Sequence, residues 1–599
     1  MESLVDLSSE CSENGGVLRA WLGPLLYLIT TDPEKIDVIL KHHLDKDDVI
    51  KVLHLGVGYG SLFAPGPIWK PRRKVMISVL HPKVLTNFFD IFVQRGKKLA
   101  ENLAVIAVDK EPKSIWPIAS MLAPEFAYDT QVKFKMASGK MRTYKRKSER
   151  GDVPKDIIER ACHSVIFDNN SIKATSKKYQ IPYKTLHRYV TKLKQKLERY
   201  PNLGKADLTL DTAGYLKNRQ VFSDDEENKL VAYLKTAADI YYGLTAYETR
   251  KFAFEYAKKN NKTVPESWNT KLMAGEDWLE TTIGKSSIDI DRHKETFLDA
   301  ITQVKDYLTT RIFHFWLQPD YTFRLHPNFA KIEALKKTGY AFLDEVVRNK
   351  RNEFNEQHVT DKSVGQINKK STLFDLFLSF SKRDNNGYND LEMREELLSL
   401  FLAATETCAN AVCIVLKLLA KYPLVQEKVY EEMCAAFQDQ DMLPNNKEDL
   451  AKLEYLERVI NETLRLYPAA PFIIRKTNKD IEFTDGITIP ENISVLISIW
   501  GLHRNKKYWG SDADCFDPDR FLPERYTQVP PGCFIPFIAG PRNCPGYSYA
   551  MMSMKITLCV LFKNFRVLPE PEDGSIPHIR VKFDITMSVL DDKVALEKR

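Results

Sequence analysis

The stretch Phe534–Ala550, FIPFIAGPRNCPGYSYA, decides how this chain is read. Cys544 sits in a Gly/Pro-rich loop directly before an apolar helical run, Tyr547–Phe562. A thiol at a helix N-terminus has its thiolate favoured by the helix dipole and by free backbone N–H groups. Arg542, two residues earlier, adds a cation able to pair with the anionic edge of a cofactor. Gly540 and Gly546 let the backbone approach a flat ligand closely. Alone, such a loop is more often a buried free thiol than a ligand site, so its surroundings must decide.

Three further patterns stand elsewhere in the chain. Trp69-x-x-x-Arg73 places an indole and a guanidinium at i,i+4, on one helix face. Glu462-x-x-Arg465 places an ion pair at i,i+3 in a helix with the apolar stripe Leu453, Leu456, Ile460 and Leu464. Pro518-x-Arg520-Phe521 supplies a second arginine able to bridge to Glu462. Together with Phe537-x-x-Gly540-x-Arg542-x-Cys544-x-Gly546, these four motifs in this order resemble the cytochrome P450 family. The resemblance covers residues of about 18–120 and 280–599.

It implies a mainly α fold with a small β-sheet and a heme b whose iron takes Cys544 as ligand. A thiolate ligand pushes electron density onto iron and favours O–O cleavage. The resemblance further implies that Phe537 shields the sulfur, and that Arg542, Trp69, Arg73 and Arg475 hold the heme propionates. Glu462, Arg465 and Arg520 become a structural ion network supporting the heme loop. It also implies a monooxygenase that inserts one atom of O2 into an apolar organic substrate, with electrons from NADPH through a reductase. The location that goes with it is the cytosolic face of the endoplasmic reticulum membrane.

The apolar run Leu397–Leu419 contains Ala403-Ala404-Thr405-Glu406-Thr407. By resemblance this segment crosses above the heme, and Glu406 with Thr407 forms an acid–alcohol pair for timed proton delivery. The competing reading has Thr407 bonding back to a helix carbonyl. Ala404 stands where the family usually has Gly. Ala403 stands where many fatty-acid omega-hydroxylase-like and insect members carry a Glu that esterifies the heme, so a non-covalently held heme is expected. As a membrane span the run is unfavourable, because a central Glu costs about 3 kcal/mol in lipid. It is expected to be a buried core helix. The polar start, MESLVDLSSECSENGG, reads as neither signal peptide nor anchor.

Composition sets the bounds. The 599 residues, 44% hydrophobic and 11% aromatic, exclude a mainly disordered chain. Nine scattered Cys without a C-x-x-C pair argue against a disulfide framework or a Cys-rich zinc module, and point to an intracellular globular protein. The net charge of +7 hides an imbalance: residues 131–199 hold 13 Lys and 6 Arg against 6 acidic residues.

That block reads as an insertion. A basic arm with Arg142, Lys145, Arg146 and Lys147 would neutralise phosphates without regard to sequence. Helical patterns at Val153–Ile166, Ser171–Tyr179 and Tyr183–Lys194 follow, the last two joined by Gln180-Ile181-Pro182. Tyr183, Lys184, Thr185, His187 and Arg188 lie at the start of the third, where a recognition helix touches bases. KMRTYKRKSERG and SIKATSKKYQIPYKTLHRYV resemble the pipsqueak-type helix-turn-helix of pogo/Tigger-like transposases. Residues 221–279, with a capping-box pattern at Ser223–Glu226, resemble the leading part of the CENP-B-type DNA-binding domain of the same proteins. No catalytic transposase segment follows.

The expected organisation is therefore an enzyme fold, 1–120 and 280–599, interrupted by an all-α helix-turn-helix segment at 131–200 and a partial second module at 215–279. DNA becomes a possible partner and the nucleus an alternative location. A DNA-binding protein with an inactive monooxygenase scaffold, or a fused gene model, is the rival reading.

Overall fold

The computed structural model describes residues 2–107, 110–115, 155–199, 246–260, 264–275, 285–360, 373–383, 388–437, 443–570, 576–583 and 585–599, with Val221, Phe222, Glu226, Leu230 and Lys262. The chain forms two compact units. One comprises residues 1–134, 240–242 and 289–599; the other comprises 135–239 and 243–288.

The first unit opens with α1 (Glu2–Glu13), the hairpin β1 (Val17–Leu22) and β2 (Leu25–Thr30), and α2 (Pro33–His42). The hairpin turns on Gly23, whose φ of 60° suits a tight two-residue loop. Asp32 starts α2 by accepting from the backbone N–H groups of Glu34 and Lys35 at 2.9 and 3.1 Å, with Pro33 in the first turn. There follow α3 (Gly66–Val79), α4 (Phe89–Ile106), α5 (Lys285–Phe313), α6 (Asn328–Thr360), α7 (Asp390–Lys421) and α8 (Glu454–Leu466). Strands β3 (Phe472–Lys476) and β4 (Ser494–Ser498) precede α9 (Tyr547–Asn564).

The largest sheet has the order β1-β2-β4-β3. Strand β2 runs parallel to β4, from Tyr27↔Ser494 to Thr30↔Ile497, and β3 pairs antiparallel on its other side. Both inner strands are buried on two faces, which is why LLYLIT and SVLIS carry apolar runs rather than alternation.

The core gathers around α7, α8 and α9. A capping box, Asn389 with Glu392, fixes the start of α7, and Pro423 follows just beyond its end. Among the described residues α7 is the one single helix long and apolar enough to cross a membrane; most of its apolar window is buried inside the protein. From Met551 to Phe562 every residue of α9 is buried, so it is a core helix on all faces.

In the second unit the helices Lys155–Ile166, Ile172–Lys178 and Tyr183–Arg199 share a small core of Ile158, Ala161, Cys162, Leu186, Tyr189 and Val190. Ser171 caps the second helix through Ala174 N–H at 3.1 Å. Gln180, at φ 54°, makes the left-handed turn into the third, which runs past the expected Lys194 to Arg199. The helix Ala246–Lys259 packs Ala253, Phe254 and Ala257 with Phe222 and Trp268. The basic arm, the start of the capping-box pattern at Ser223 and the junctions near 121–130 and 280–284 lie outside the described residues.

Candidate active site

A cavity of about 500 Å³ opens beneath α7 in the first unit. Its walls are mainly apolar, with Ile301, Val304 and Leu308 of α5, Leu402 and Ala403 of α7, and Phe583. Cys544 lines the same cavity, with Trp69, Arg73, Arg475 and Arg542.

The cysteine loop is held by its own backbone. Cys544 N–H donates to Phe537 O at 2.8 Å and Asn543 N–H to Gly540 O at 3.1 Å. The Phe537 ring stands edge-on to Tyr547 at 4.9 Å. Ile538 sits at φ 62°, a left-handed conformation costly for a β-branched residue. Gly540, at φ 74°, is needed because a Cβ there would lie 2.6 Å from the carbonyl of Leu40, so its closeness serves packing on α2. Gly546 has an ordinary negative φ, and a Cβ there would meet the Cys544 sulfur at 3.7 Å. Burial pushes the Cys544 thiol up, while the Gly546 N–H and Arg73 pull it down.

Cations crowd the cavity beside this loop. The Arg542 guanidinium stacks over Trp69 at 4.5 Å and donates once, to Ala64 O at 2.9 Å. Arg73 grips the loop through Asn543 O at 2.7 Å and the Asn543 side chain. Arg475 donates to the adjacent Ile474 O. Arg542 Nε and Nη1, Arg475 Nε and Arg73 Nε are buried and find no hydrogen-bond partner among the described residues. Burial pushes Arg475 and Arg542 down to about 10, with Arg542 adding to the strain on Arg475, and with Asp45 opposing and Arg73 adding to that on Arg542. Lys46 joins them, lowered well below its ordinary value by burial and then by Arg475 and Arg542. Sequence reading missed it, because HLDKDD looks like solvated surface. Four cations face one cavity, and no ion pair joins any of them to a carboxylate among the described residues, although the charge of Asp45 acts on Arg542; together they form a cradle for an anion.

The cytochrome P450 family model matches residues 278–592. This chain belongs to the cytochrome P450 family. It is 33% identical over 312 residues to probable cytochrome P450 313a1 of Drosophila melanogaster, 51% of this chain and 60% of that protein. It is 32% identical over 291 residues to cytochrome P450 4c21 of Blattella germanica, 48% of this chain and 57% of that protein. It is 33% identical over 275 residues to human cytochrome P450 4F2, 46% of this chain and 53% of that protein. The chain thus spans 60% or less of the length of these three relatives. The crystal structure of a cytochrome P450 (CYP102L1) matches with a TM-score of 0.60 at 16% identity, covering 100% of this chain and 94% of that one. That match shows the fold.

The cofactor of a cytochrome P450 is a thiolate-ligated heme, and the residues present fit it. Cys544 offers a sulfur to the cavity, and the orphaned nitrogens of Arg73, Arg475 and Arg542 offer donors for two propionates. Above, α7 brings Glu406 and Thr407 to the cavity wall without joining them to each other. Thr407 Oγ1 donates to Ala403 O at 2.7 Å, the back-bond weighed from sequence. Glu406 is held at 2.5 Å by Lys305 and accepts from Thr586 at 2.8 Å. Neither partner was visible in the sequence, since they lie 101 and 180 positions away.

The ion network is fully buried. Arg465 donates twice to Glu462, at 2.7 and 2.8 Å, and also to the carbonyls of His503, Ala513 and Cys515. Arg520 touches Glu462 at 3.6 Å, but its hydrogen bonds go to Trp509 O and Asp512. His503, unnoticed in the sequence, links this network to the cysteine loop: its Nδ1 faces Arg465 O at 3.2 Å and its Nε2 accepts from Ile535 N–H at 2.9 Å. That pairing needs a neutral ring, and burial, with Arg465 next, pushes its pKa down to about 3 from 6.5. The unfolded chain then binds a proton that the folded one refuses. Stability therefore falls as pH drops below 6.5 and goes on falling to about pH 3. His503→Gln should flatten this part of a denaturation-versus-pH curve; an equally steep curve would remove His503 as its cause.

In the second unit Tyr183, Lys184, His187 and Arg188 are exposed on the third helix and Thr185 is half-buried. The Arg188 guanidinium lies over the Tyr189 ring at 4.9 Å. Arg142, Lys145, Arg146 and Lys147 lie outside the described residues.

Proposed function

We propose that the first unit is a heme-thiolate monooxygenase acting on an elongated apolar organic molecule. The observation that carries this reading is a cysteine lining an apolar cavity beside arginines with nitrogens that find no hydrogen-bond partner among the described residues. A bound thiolate heme supplies activation of dioxygen. The chain's own residues have the remaining tasks. Cys544 ligates, with Phe537 beside it in the loop, and Arg73, Arg475, Arg542 and Lys46, with Trp69 stacked on Arg542, anchor the cofactor's acidic edge. The apolar walls exclude water, and Glu406 and Thr407 handle protons, Glu406 steadied by Lys305 and Thr586. With Ala403 opposite, the heme is held without a covalent link. Electrons come from NADPH through a reductase. Exposed Trp21, Trp316, Tyr321 and Leu325, the last 85% exposed, suit contact with a membrane surface such as the cytosolic face of the endoplasmic reticulum. The test is the spectrum of the reduced, carbon monoxide-bound chain. A strongly red-shifted Soret band supports the reading, and a band of neutral-ligand type overturns it.

A second reading concerns residues 131–200 and rests on the exposed cationic start of the helix Tyr183–Arg199. We infer that this segment is an inserted DNA-binding module, with 215–279 as a partial companion, and the nucleus as the location it would favour. A double charge reversal, Lys184→Glu with Arg188→Glu, should weaken duplex DNA binding at least tenfold and lower the salt slope by about 2. Unchanged affinity and slope in a fluorescence anisotropy titration would refute it.

A further inference from the structure

One buried acid has no part in the chemistry proposed above. Glu396 of α7 is 1% exposed. Its Oε1 accepts from the backbone N–H and the hydroxyl of Ser61, each at 2.9 Å, and from Arg72 at 3.1 Å. Its Oε2 is buried and finds no hydrogen-bond partner among the described residues. Ser61 belongs to the loop 58–64, in which Ser61, Leu62 and Phe63 line the cavity while Tyr59 is 45% exposed. The loop is thus a layer between cavity and solvent, fastened to α7 near its middle through one oxygen. The seating is close. A Cβ on Gly58 would clash with the Glu395 carboxylate, and one on Gly60 with the Glu395 carbonyl.

The charges around this fastening do not balance. Arg72 of α3 meets Glu396 at 3.1 Å, Glu392 at 3.3 Å and Glu395 at 3.7 Å, one guanidinium among three carboxylates. It also donates to Tyr59 O at 2.6 Å and lies over the Tyr388 ring. The neighbouring arginines are engaged elsewhere: Arg394 pairs with Asp344 of α6 at 2.9 Å and covers the Tyr340 ring, and Arg351 pairs with Asp390 at 2.6 Å. The charge of Glu395 acts on Tyr340 and on His54. Lys46 and His54 hold the loop further along, at Leu62 O and Phe63 O. A buried carboxylate that shares its one countercharge is relieved by a proton. Oε2 is the place for it, since a proton there removes the charge and breaks none of the bonds to Oε1. Burial accordingly pushes the Glu396 carboxyl up to about 7, against the pull of Arg72 and Ser61.

We propose that Glu396 is a proton-operated clasp on the cavity wall: protonated, it holds the loop 58–64 shut against α7, and ionised, it lets the loop loosen. When the loop lifts, Glu396 meets water and returns to the ordinary carboxylate range, so the shut state keeps the extra proton. The clasp is tightest in acid, slackens as pH rises from 4.5 to about 7, and changes no further above that. His54 and Lys46 act with the opposite sign. Burial favours their neutral forms, so their titration would loosen the loop as pH falls. The direction of the change therefore tells Glu396 from both. The clasp operates whatever the cavity binds.

The experiment is hydrogen exchange read by mass spectrometry on the full chain, following peptides that cover 58–64 between pH 5 and pH 8. Each rate is divided by that of the unstructured peptide at the same pH, which removes the intrinsic pH dependence of exchange. Protection should be roughly tenfold lower at pH 7.5 than at pH 5, and level beyond. Glu396→Gln keeps the acceptor and fixes the neutral form, so its protection should stay high throughout. Ser61→Ala deletes one bond that favours the ionised acid, so the levelling should move to higher pH; this variant decides if the glutamine one does not fold. Constant protection in the unaltered protein, protection that grows with pH, a slope that survives Glu396→Gln, or levelling unmoved by Ser61→Ala would each overturn the inference.

Discussion

Cys544→Ser is expected to abolish the red-shifted Soret band of the reduced, carbon monoxide-bound protein while leaving the chain folded. The loop does not depend on sulfur for its shape: its hold is the Cys544 N–H to Phe537 O bond and the Asn543 N–H to Gly540 O bond, both of backbone atoms. Serine is smaller and can still accept from the Gly546 N–H that faces the sulfur. What it lacks is a soft thiolate, which an alcohol cannot imitate as an iron ligand at neutral pH. The spectral loss should be complete, with the denaturation midpoint shifted by no more than about 1 kcal/mol in stability. A variant that keeps the band would end the assignment of Cys544 as the ligand. A variant that fails to fold would show that the loop relies on the sulfur for more than chemistry.

The largest stability effect should come from Arg465. Removing it leaves the Glu462 carboxyl group buried, with Asp517 N–H at 2.9 Å and the more distant Arg520 as its remaining partners among the described residues. It also strips donors from the three carbonyls of His503, Ala513 and Cys515. Breaking a buried pair from one side costs about 3–5 kcal/mol, a large share of a domain's net stability. Arg465→Ala should therefore show a strongly lowered urea midpoint and poor cofactor retention. Arg465→Lys should fall between, since an ammonium keeps the charge but cannot reproduce the forked contacts. An alanine variant of ordinary stability would show that the network is dispensable.

What could be read from sequence was whatever is encoded at short spacing. The cysteine loop, the i,i+3 pair in α8 and the uniformly apolar α9 declare themselves within a few residues, and so did the mainly helical fold with its small sheet. The partners of those residues could not be read. Lys46 and Lys305 come to the cavity from distant segments and look like solvated lysines where they stand. His503 is a lone histidine in a short helix, Ile499–Arg504, and only tertiary burial gives it a task. Gly540 has a neighbour that the sequence could not give: its missing Cβ makes room for the carbonyl of Leu40. Glu406 was found by its place in an apolar run, yet which groups hold it depends on α5 and on Thr586, far along the chain.

The parallel pairing of β2 with β4 sets a timetable for making the protein. Arg542 meets Ala64 across 478 positions, and Arg73 meets Asn543 across 470. β1 and β2 can pair at once, but β2, Ala64 and Arg73 wait for partners that lie more than 450 positions further along. Chains dominated by such distant contacts fold slowly and expose apolar surface while they wait. The helices of 155–199, whose contacts are local, can close long before then. Newly made protein should thus pass through a stage with a finished small unit and an unfinished large one. Yield in a recombinant host should depend on holding chaperones and on growth temperature more than on the stability of the finished molecule.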